Sequence, residues 1–161
     1  SHSAGKTGGT ANSQVVAPNT IYDVSSVSDI LDRSLAAMLA ADSGNLILEA
    51  PARDYVPELK GGDANTPVLD LLRTSTSPDL LKTILSRAAG ISQDRFLEER
   101  LFKPLGMNNT FSRPPRNFRG SIAYSGDTKN VGFFSTVQDL SVLAQLLLNR
   151  GVYGHRRYFN L

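Results

Sequence analysis

The sequence predicts a mainly helical fold with only a few short strands. Small polar residues that can start a helix recur along the chain, each followed by apolar residues spaced three and four apart. Strand-like pieces are confined to Val15-Val16 and Ile21-Tyr22. We find no internal repeat and no low-complexity tract, and 161 residues fit one domain with a substantial core.

The composition is that of an ordinary globular protein, with 40% hydrophobic residues, 20% charged residues and a net charge of +2. This small charge does not favour nucleic acid or a membrane surface as the partner, and we interpret Arg150, Arg156 and Arg157 as a solvated surface. The lack of cysteine excludes disulfides, thiolate catalysis and cysteine-bound metal centres. No apolar run has the length of a membrane-spanning helix, and the first twenty residues lack the apolar centre of an export signal.

Residues 1–18 are predicted to form a flexible or strand-like lead-in, because the first fourteen are small and polar and include three glycines. The stretch 5-GKTGG-9 lacks the earlier glycine and the preceding strand of a phosphate-binding loop, so we interpret it as flexible chain. The first helix is predicted to begin at Ser26, and Gly44 should end it in the left-handed conformation. Its apolar positions are Ile30, Leu31, Leu35, Met38 and Leu39.

Four further helices are predicted from their start signals. Thr66 should cap a helix over 67–75 with Pro67 in its first position, and Ser77-Pro78 should open another that ends at Gly90. Ser92 should cap a helix over 93–102, which Pro104 should prevent from continuing. Thr136 should cap a helix over 137–151, with Asp139 in the first turn where the macrodipole favours an acid. Residues 152–161 could start a strand.

Ser26 and Asp29 lie three positions apart, so on a helix they share one face and their side chains can meet. A serine hydroxyl needs a base to accept its proton before it becomes a good nucleophile. An aspartate near its ordinary pKa of about 4 is a weak base at neutral pH, whereas serine followed by an acid is a common helix start. Spacing alone therefore favours a helix cap over a catalytic pair.

Other catalytic constellations have little support in the sequence. His2 lies in the lead-in and His155 in the basic tail, and the G-x-S-x-G turn of many Ser–His–Asp enzymes does not occur. No residue pattern indicates a metal or an organic cofactor.

Five stretches of the sequence belong together: 19-NTIYDVSSVSD-29, 46-LILEAPARDYVPEL-59, 69-LDLLRTSTS-77, 96-FLEERLFKPLGMNNTF-111 and 132-GFFSTVQDLSVLAQLLLNRGVY-153. In this order they resemble the serine β-lactamase and penicillin-binding-protein superfamily, and the PLGM and FSTxxDL segments are specific to it. The similarity is greatest to class C-like and esterase-like members, including the modules fused to bacterial family 3 glycoside hydrolases. The resemblance implies an α+β fold of the β-lactamase/transpeptidase type, of which this chain holds mainly the helical subdomain.

The first motif of that family is Ser-x-x-Lys at the start of a buried helix. The resemblance therefore implies that Ser26 is the nucleophile, that its backbone N–H serves the oxyanion hole, and that Asp29 stands at the position of the lysine base. The second motif, of Tyr-x-Asn type, should lie within 78–95, where no tyrosine occurs, and Tyr124-Ser125-Gly126 comes too late in the chain. The third motif, Lys/His-x-Gly, belongs after residue 161, and Lys6-Thr7-Gly8 spells it at the opposite end.

The resemblance implies a serine hydrolase that forms an acyl-enzyme with ester, amide or peptidoglycan-like substrates, impaired here by Asp29. Two alternatives stay open: an inactive scaffold or binding module, and a fragment that needs segments from the same chain or a partner. Residues 1–161 would form a single, incomplete domain, with segments missing near Ser77–Leu80, near Ala123–Val131 and after Leu161. By the same resemblance the protein is expected in the periplasm, the cell envelope or outside the cell, with fusion to a larger enzyme as an option.

Overall fold

A computed structural model describes residues 3–8, 13–74, 77–112, 122–123 and 133–160, and the side chains within these ranges other than those of residues 25–30. The helices are α1 (Ser25–Asp42), α2 (Val68–Thr74), α3 (Pro78–Ala89), α4 (Gln93–Leu97), α5 (Lys103–Leu105) and α6 (Val137–Leu148). The strands are β1 (Ile21–Asp23), β2 (Ile122–Ala123), β3 (Phe134–Thr136), β4 (Val152–Tyr153) and β5 (Arg156–Arg157). Short 3-10 helices cover Ala52–Asp54 and Gly62–Asn65, and a π-helix covers Glu98–Phe102. Helix dominates the described residues, as predicted.

The strand β1 lies at the centre of a three-stranded sheet with the order β2-β1-β3. It pairs in parallel with β2, where Ile21 faces Ile122, and antiparallel with β3, where Ile21 faces Thr136. Ile21 has no exposed surface, so this junction is part of the core. The predicted strand piece Ile21-Tyr22 is therefore confirmed.

The hydrophobic core forms where α1 packs against α3 and α4. α1 places Ala36, Ala37 and Ala40 in this interface, and their small side chains let the helices approach closely. Each large apolar side chain that is fully buried stabilises the fold by about 1.5–3 kcal/mol. These side chains include Leu35, Leu71, Leu81, Ile84, Leu85, Leu97, Leu101 and Leu146.

Two of the predicted caps form and two do not. The Ser92 hydroxyl accepts from the N–H of Arg95 at 3.4 Å, and the Thr136 hydroxyl accepts from the N–H of Asp139 at 3.1 Å. Ser77 lies at the cap position of α3, but its hydroxyl donates to Asp63 Oδ2 at 2.9 Å instead. The prediction that Thr66 caps α2 is wrong. The helix starts one residue later than predicted, and the Thr66 hydroxyl donates back to the carbonyl of Gly62 at 3.3 Å.

The prediction that Pro104 prevents continuation is also wrong. After α4 the chain widens into the π-helix and then tightens again into α5, which contains Pro104 near its start. Phe102 and Lys103 have helical φ and ψ and the Lys103 N–H donates to the carbonyl of Glu98, so Pro104 lies inside one continuous helical run just after the wider π-helix. The helical run ends instead at Gly106, which has a positive φ of 74°.

Two other helix ends follow from backbone geometry. Gly44 is left-handed with φ 74°, as predicted, and the bonds from Gly44 N–H to Ala41 and from Asn45 N–H to Ala40 form a Schellman motif. α6 ends at Leu148, before the predicted end at 151, and the chain turns into the β4–β5 hairpin.

Segments were predicted to be missing near Ser77–Leu80 and near Ala123–Val131. At the first place, Leu81 N–H donates to the Ser77 carbonyl at 3.1 Å as in a regular first turn. At the second, residues 124–132 lie outside the described part of the chain. The lead-in contains an antiparallel bridge between Lys6 and Val15.

Gly151 has no room for a side chain. A Cβ at this position would lie 2.1 Å from the backbone oxygen of Phe159, whose side chain is fully buried. Gly44 has the same positive sign of φ but nothing within 4 Å of its missing Cβ. A side chain at position 44 would therefore meet backbone strain alone, whereas one at position 151 would meet both backbone strain and steric overlap.

We expect Gly151→Ala to lower the free energy of unfolding by at least about 3 kcal/mol, since the backbone of residue 159 must move. The matched change Gly44→Ala should cost only about 1–2 kcal/mol, the price of a left-handed non-glycine residue. Urea unfolding of both variants checks this expectation. Equal losses would show that residue 151 is limited by its φ alone.

An exposed ion pair joins α3 to the loop before α2. The Arg87 guanidinium donates to both carboxylate oxygens of Glu58, with Nη1 2.9 Å from Oε2, and Nη1 also donates to the carbonyl of Tyr55 at 3.2 Å. The hydrogen bonds from Arg87, and then from the backbone of Glu58, lower the pKa of the Glu58 carboxyl from 4.5 to about 2.

A carboxyl group whose pKa is lower in the folded state stabilises the fold above its unfolded pKa, and this contribution is lost as it protonates. The Glu58 contribution should therefore be complete above pH 4.5 and should disappear as the pH falls towards 2. We expect Glu58→Gln to flatten the loss of stability in this window, measured as urea midpoints at several pH values. Glu49→Gln, at an exposed glutamate for which the described residues show no ion pair, serves as the control and should leave the slope unchanged.

Candidate functional site

Ser26 and Asp29, the candidate pair from the sequence, both lie in the first part of α1, and their side chains lie outside the described ones. α1 begins at Ser25 with Val24 in the cap position, so residue 26 lies within the first turn rather than before it. The cap interpretation of Ser26 is therefore wrong. The other interpretation, a nucleophile at the start of a helix, is compatible with this backbone position and stays a prediction.

The backbone around residue 26 is held by the sheet on its N-terminal side. β1 ends at Asp23, and the N–H of Val24 donates to the carbonyl of Phe133 at 3.0 Å, which extends the β1–β3 pairing to the helix start. The first four N–H groups of a helix have no acceptor within the helix, and in α1, with Val24 at the cap position, these belong to residues 24–27. A strand thus leads directly into backbone N–H groups that have no acceptor within the helix, next to a serine.

Two ionisable residues follow on α1 that sequence reasoning did not select. Asp32 and Arg33 are 8% and 7% exposed, although charged side chains are seldom so deeply buried. Both have interaction partners in the structure. Their position inside an apolar helix, between Leu31 and Leu35, was the signal that could have identified them.

A buried polar cluster links the PLGM segment to the start of α6. The carboxylate of Asp139, which is 5% exposed, accepts from the N–H of Asn109 and from the hydroxyl of Thr110, both at 2.9 Å from Oδ2. Thr110 Oγ1 also lies 2.8 Å from the hydroxyl oxygen of Ser135. The sequence placed Asp139 in a first helical turn but gave no sign of partners thirty residues away.

We expect Asp139→Ala to lower the free energy of unfolding by about 1–3 kcal/mol for each buried donor that loses its acceptor. Asp70→Ala removes an exposed acid from the first turn of α2, where only the macrodipole and an ion pair with Arg73 are lost, so it should cost at most about 1 kcal/mol. Denaturant unfolding compares the two variants. A loss at Asp139 no larger than that at Asp70 would contradict the role given to this cluster.

The remaining motifs of the sequence do not assemble into a catalytic site in the described structure. His155 lies in the β4–β5 turn with φ 66°, whereas His2 and Tyr124 lie outside the described residues. Lys6-Thr7-Gly8 belongs to the lead-in, where the Thr7 N–H donates to the carbonyl of Gln14 at 2.9 Å. Within the described ranges we find no cluster of three metal-ligating side chains, and none of the helices there is long and apolar enough to span a membrane.

Known structures share this fold. A class C β-lactamase from Rhodobacter sphaeroides superposes with a TM-score of 0.71 at 22% identity, over 91% of this chain and 56% of that chain. A β-lactamase from Sulfitobacter sp. EE-36 gives 0.69 at 25% identity, over 89% of this chain and 54% of that one. A D-alanine carboxypeptidase from Burkholderia cenocepacia gives 0.69 at 20% identity, over 88% and 53%. The fold is α+β, as the resemblance implied, and the chain spans about half of each of these proteins.

Sequence comparison identifies curated relatives and a family. "Probable hydrolase M10" of Phoma sp. is 34% identical over 79 residues, and "Probable hydrolase clz13" of Cochliobolus lunatus is 29% identical over 80 residues. Each match covers 44% of this chain and only 13% of the relative. The model of the β-lactamase family matches residues 74–158, which is just over half of the chain and includes the polar cluster around Asp139. The chain therefore belongs to the β-lactamase family, within a superfamily of hydrolases.

Proposed function

We propose that this chain is a serine hydrolase in which Ser26 forms an acyl-enzyme with ester, amide or peptidoglycan-like substrates, and in which Asp29 makes acylation slow. The supporting observation is the position of residue 26 in the first turn of α1, directly after the central strand of the sheet. Relatives named as hydrolases and similar structures named as β-lactamases and a D-alanine carboxypeptidase support the same reaction class.

In the proposed reaction the Ser26 oxygen attacks the acyl carbonyl carbon, and the leaving group departs with a proton. Water then attacks the resulting ester, which releases the acid and restores the serine. The negative oxygen formed in each step needs nearby N–H donors, and a backbone N–H of the first turn of α1, which has no acceptor within the helix, could provide one of them.

Asp29 determines how well this reaction proceeds. A lysine three residues after the serine can approach the hydroxyl and accept its proton once its own pKa is lowered. An aspartate is shorter and, near its ordinary pKa of about 4, holds a proton poorly at neutral pH. Loss of one member of a cooperating catalytic set commonly removes most of the rate, so we propose a hydrolase of low activity.

The alternative function is a non-catalytic scaffold or binding module, or a domain completed by further segments. It is supported by Asp29 and by coverage of only about half of the similar structures. We keep four related proposals. Segments are missing near Ser77–Leu80 and Ala123–Val131, and the chain is a single, incomplete domain. The protein is fused to a larger enzyme and is periplasmic or secreted. The proposed partner in either case is a small-molecule or peptidoglycan-like ligand.

We expect intact-mass spectrometry to detect a slow covalent adduct on Ser26 after incubation with a fluorophosphonate or a β-lactam. Asp29→Lys should increase the rate of labelling at least about tenfold if a missing base limits acylation. Labelling should be absent in Ser26→Ala, alone or combined with Asp29→Lys. No adduct in either wild type or Asp29→Lys would favour the scaffold or the incomplete domain.

The folding of these variants must be checked in parallel. Ser26→Ala should change the free energy of unfolding by no more than about 1 kcal/mol, because it removes one hydroxyl and leaves the N-cap at Val24 unchanged. Asp29→Lys places a positive charge near a helix N-terminus and should cost about 0.3–1 kcal/mol. A much larger loss in Ser26→Ala would indicate that Ser26 has a structural role in the core.

A further inference from the structure

We propose that a cavity behind α1 is a binding site for small apolar molecules the size of one aromatic ring. The cavity lies between α1, β3, α6 and the π-helix, and its volume is about 130 Å³. Its walls include Val24, Leu31, Leu35, Phe102, Phe133 and Leu143. The proposal does not depend on the covalent chemistry proposed for Ser26.

The cavity offers carbon atoms rather than free polar groups to a ligand. Thr110 and Ser135 lie on its wall, but their hydroxyl groups are bonded to each other, and Thr110 is also bonded to Asp139. Asp32, the third polar residue on the wall, has a partner of its own within the structure, and its Oδ1, which accepts no hydrogen bond, is buried and not offered to a ligand. A ligand therefore needs no hydrogen-bonding group, and a polar one would lose its water without compensation.

The size of the cavity selects the ligand. Apolar cavities of about 150 Å³ lined by leucine, isoleucine and phenylalanine bind benzene or xenon. A cavity of about 130 Å³ lined by leucine and phenylalanine should accept benzene or a short branched alkyl group and should exclude two fused rings.

An entry route lies at Phe102. Phe102 and Thr110 also line a neighbouring surface cleft of about 180 Å³, together with Asp94, Glu98 and Phe111. These two side chains therefore separate the cavity from the surface cleft. Phe102 belongs to the π-helix, a rare element that is often found at functional sites, and it packs edge-on against Phe133 with ring centroids 4.9 Å apart. The cavity is already partly open, and rotation of this ring would widen its connection to the cleft.

The two methionines of the chain provide a direct measurement. Met107 lines the cavity, whereas Met38 is on another part of the core and does not. In protein with ¹³C-labelled methionine methyl groups, benzene should shift the Met107 methyl resonance by its ring current and leave that of Met38 in place. Nuclear Overhauser contacts from benzene protons to the Met107 methyl group should accompany the shift.

Thermal unfolding gives an independent measurement. A ligand at ten times its dissociation constant should raise the melting temperature of a domain of this size by about 3–5 °C. Leu143→Phe, which fills the cavity, should remove this increase. Leu148→Phe makes the same change on α6 at a side chain that is 83% exposed, and it should retain the full increase. Naphthalene should have no effect on the wild type.

The outcomes separate the possibilities. A Met107-specific shift that Leu143→Phe removes and Leu148→Phe keeps would support the proposal. No shift of Met107 in the wild type would overturn it, as would equal shifts of both methionines or an increase in melting temperature that survives Leu143→Phe. The wild-type resonances decide the question even if Leu143→Phe does not fold.

Discussion

The carboxylate of Asp139 binds the N–H of Asn109 and the hydroxyl of Thr110 in a place from which water is almost excluded. This contact fixes the turn after Gly106 to the start of α6. The next residue along, Phe111, then forms an antiparallel bridge to Phe134 of β3. Because a buried carboxylate without its donors would be costly, these segments must stay together whenever the chain is folded.

The position of the candidate nucleophile depends on this arrangement through the sheet. β3 pairs with β1 along its whole length, and the bond from Val24 to Phe133 carries the pairing to the first residue of α1. α1 and α6 leave this strand pair at opposite ends, since the strands are antiparallel. The cluster around Asp139 therefore holds one end of the pair, while residue 26 follows from the other.

Local signals were predictable from sequence and distant ones were not. The starts at Ser92 and Thr136 and the end at Gly44 depend on residues within one turn, and each was predicted from those residues. Pro104 was misjudged because the helical run widens into a π-helix just before the proline and continues through it, which no local pattern indicates. The partners of Asp139 lie about thirty residues away and could not be found by spacing at all.

The fold class and the site were predictable to different degrees. Helix content followed from periodicity, but the α+β class followed only from the resemblance, since the described strands have two or three residues each. The burial of Asp32 and Arg33 was missed because a charged residue on a helix is normally solvated. Ser26 and Asp29 were selected from the sequence, and their roles stay predictions.

Family membership and activity are carried by different parts of the chain. The family model matches residues 74–158, whereas Ser26 and Asp29 lie on α1, outside that range. The interactions that hold residue 26 in place come from buried apolar side chains, from the β1–β3 pairing and from Asp139, all of them independent of a base at position 29. A chain with aspartate there can consequently keep these interactions whether or not it is active. For this protein the fold is evidence of descent, and only chemistry at Ser26 is evidence of catalysis.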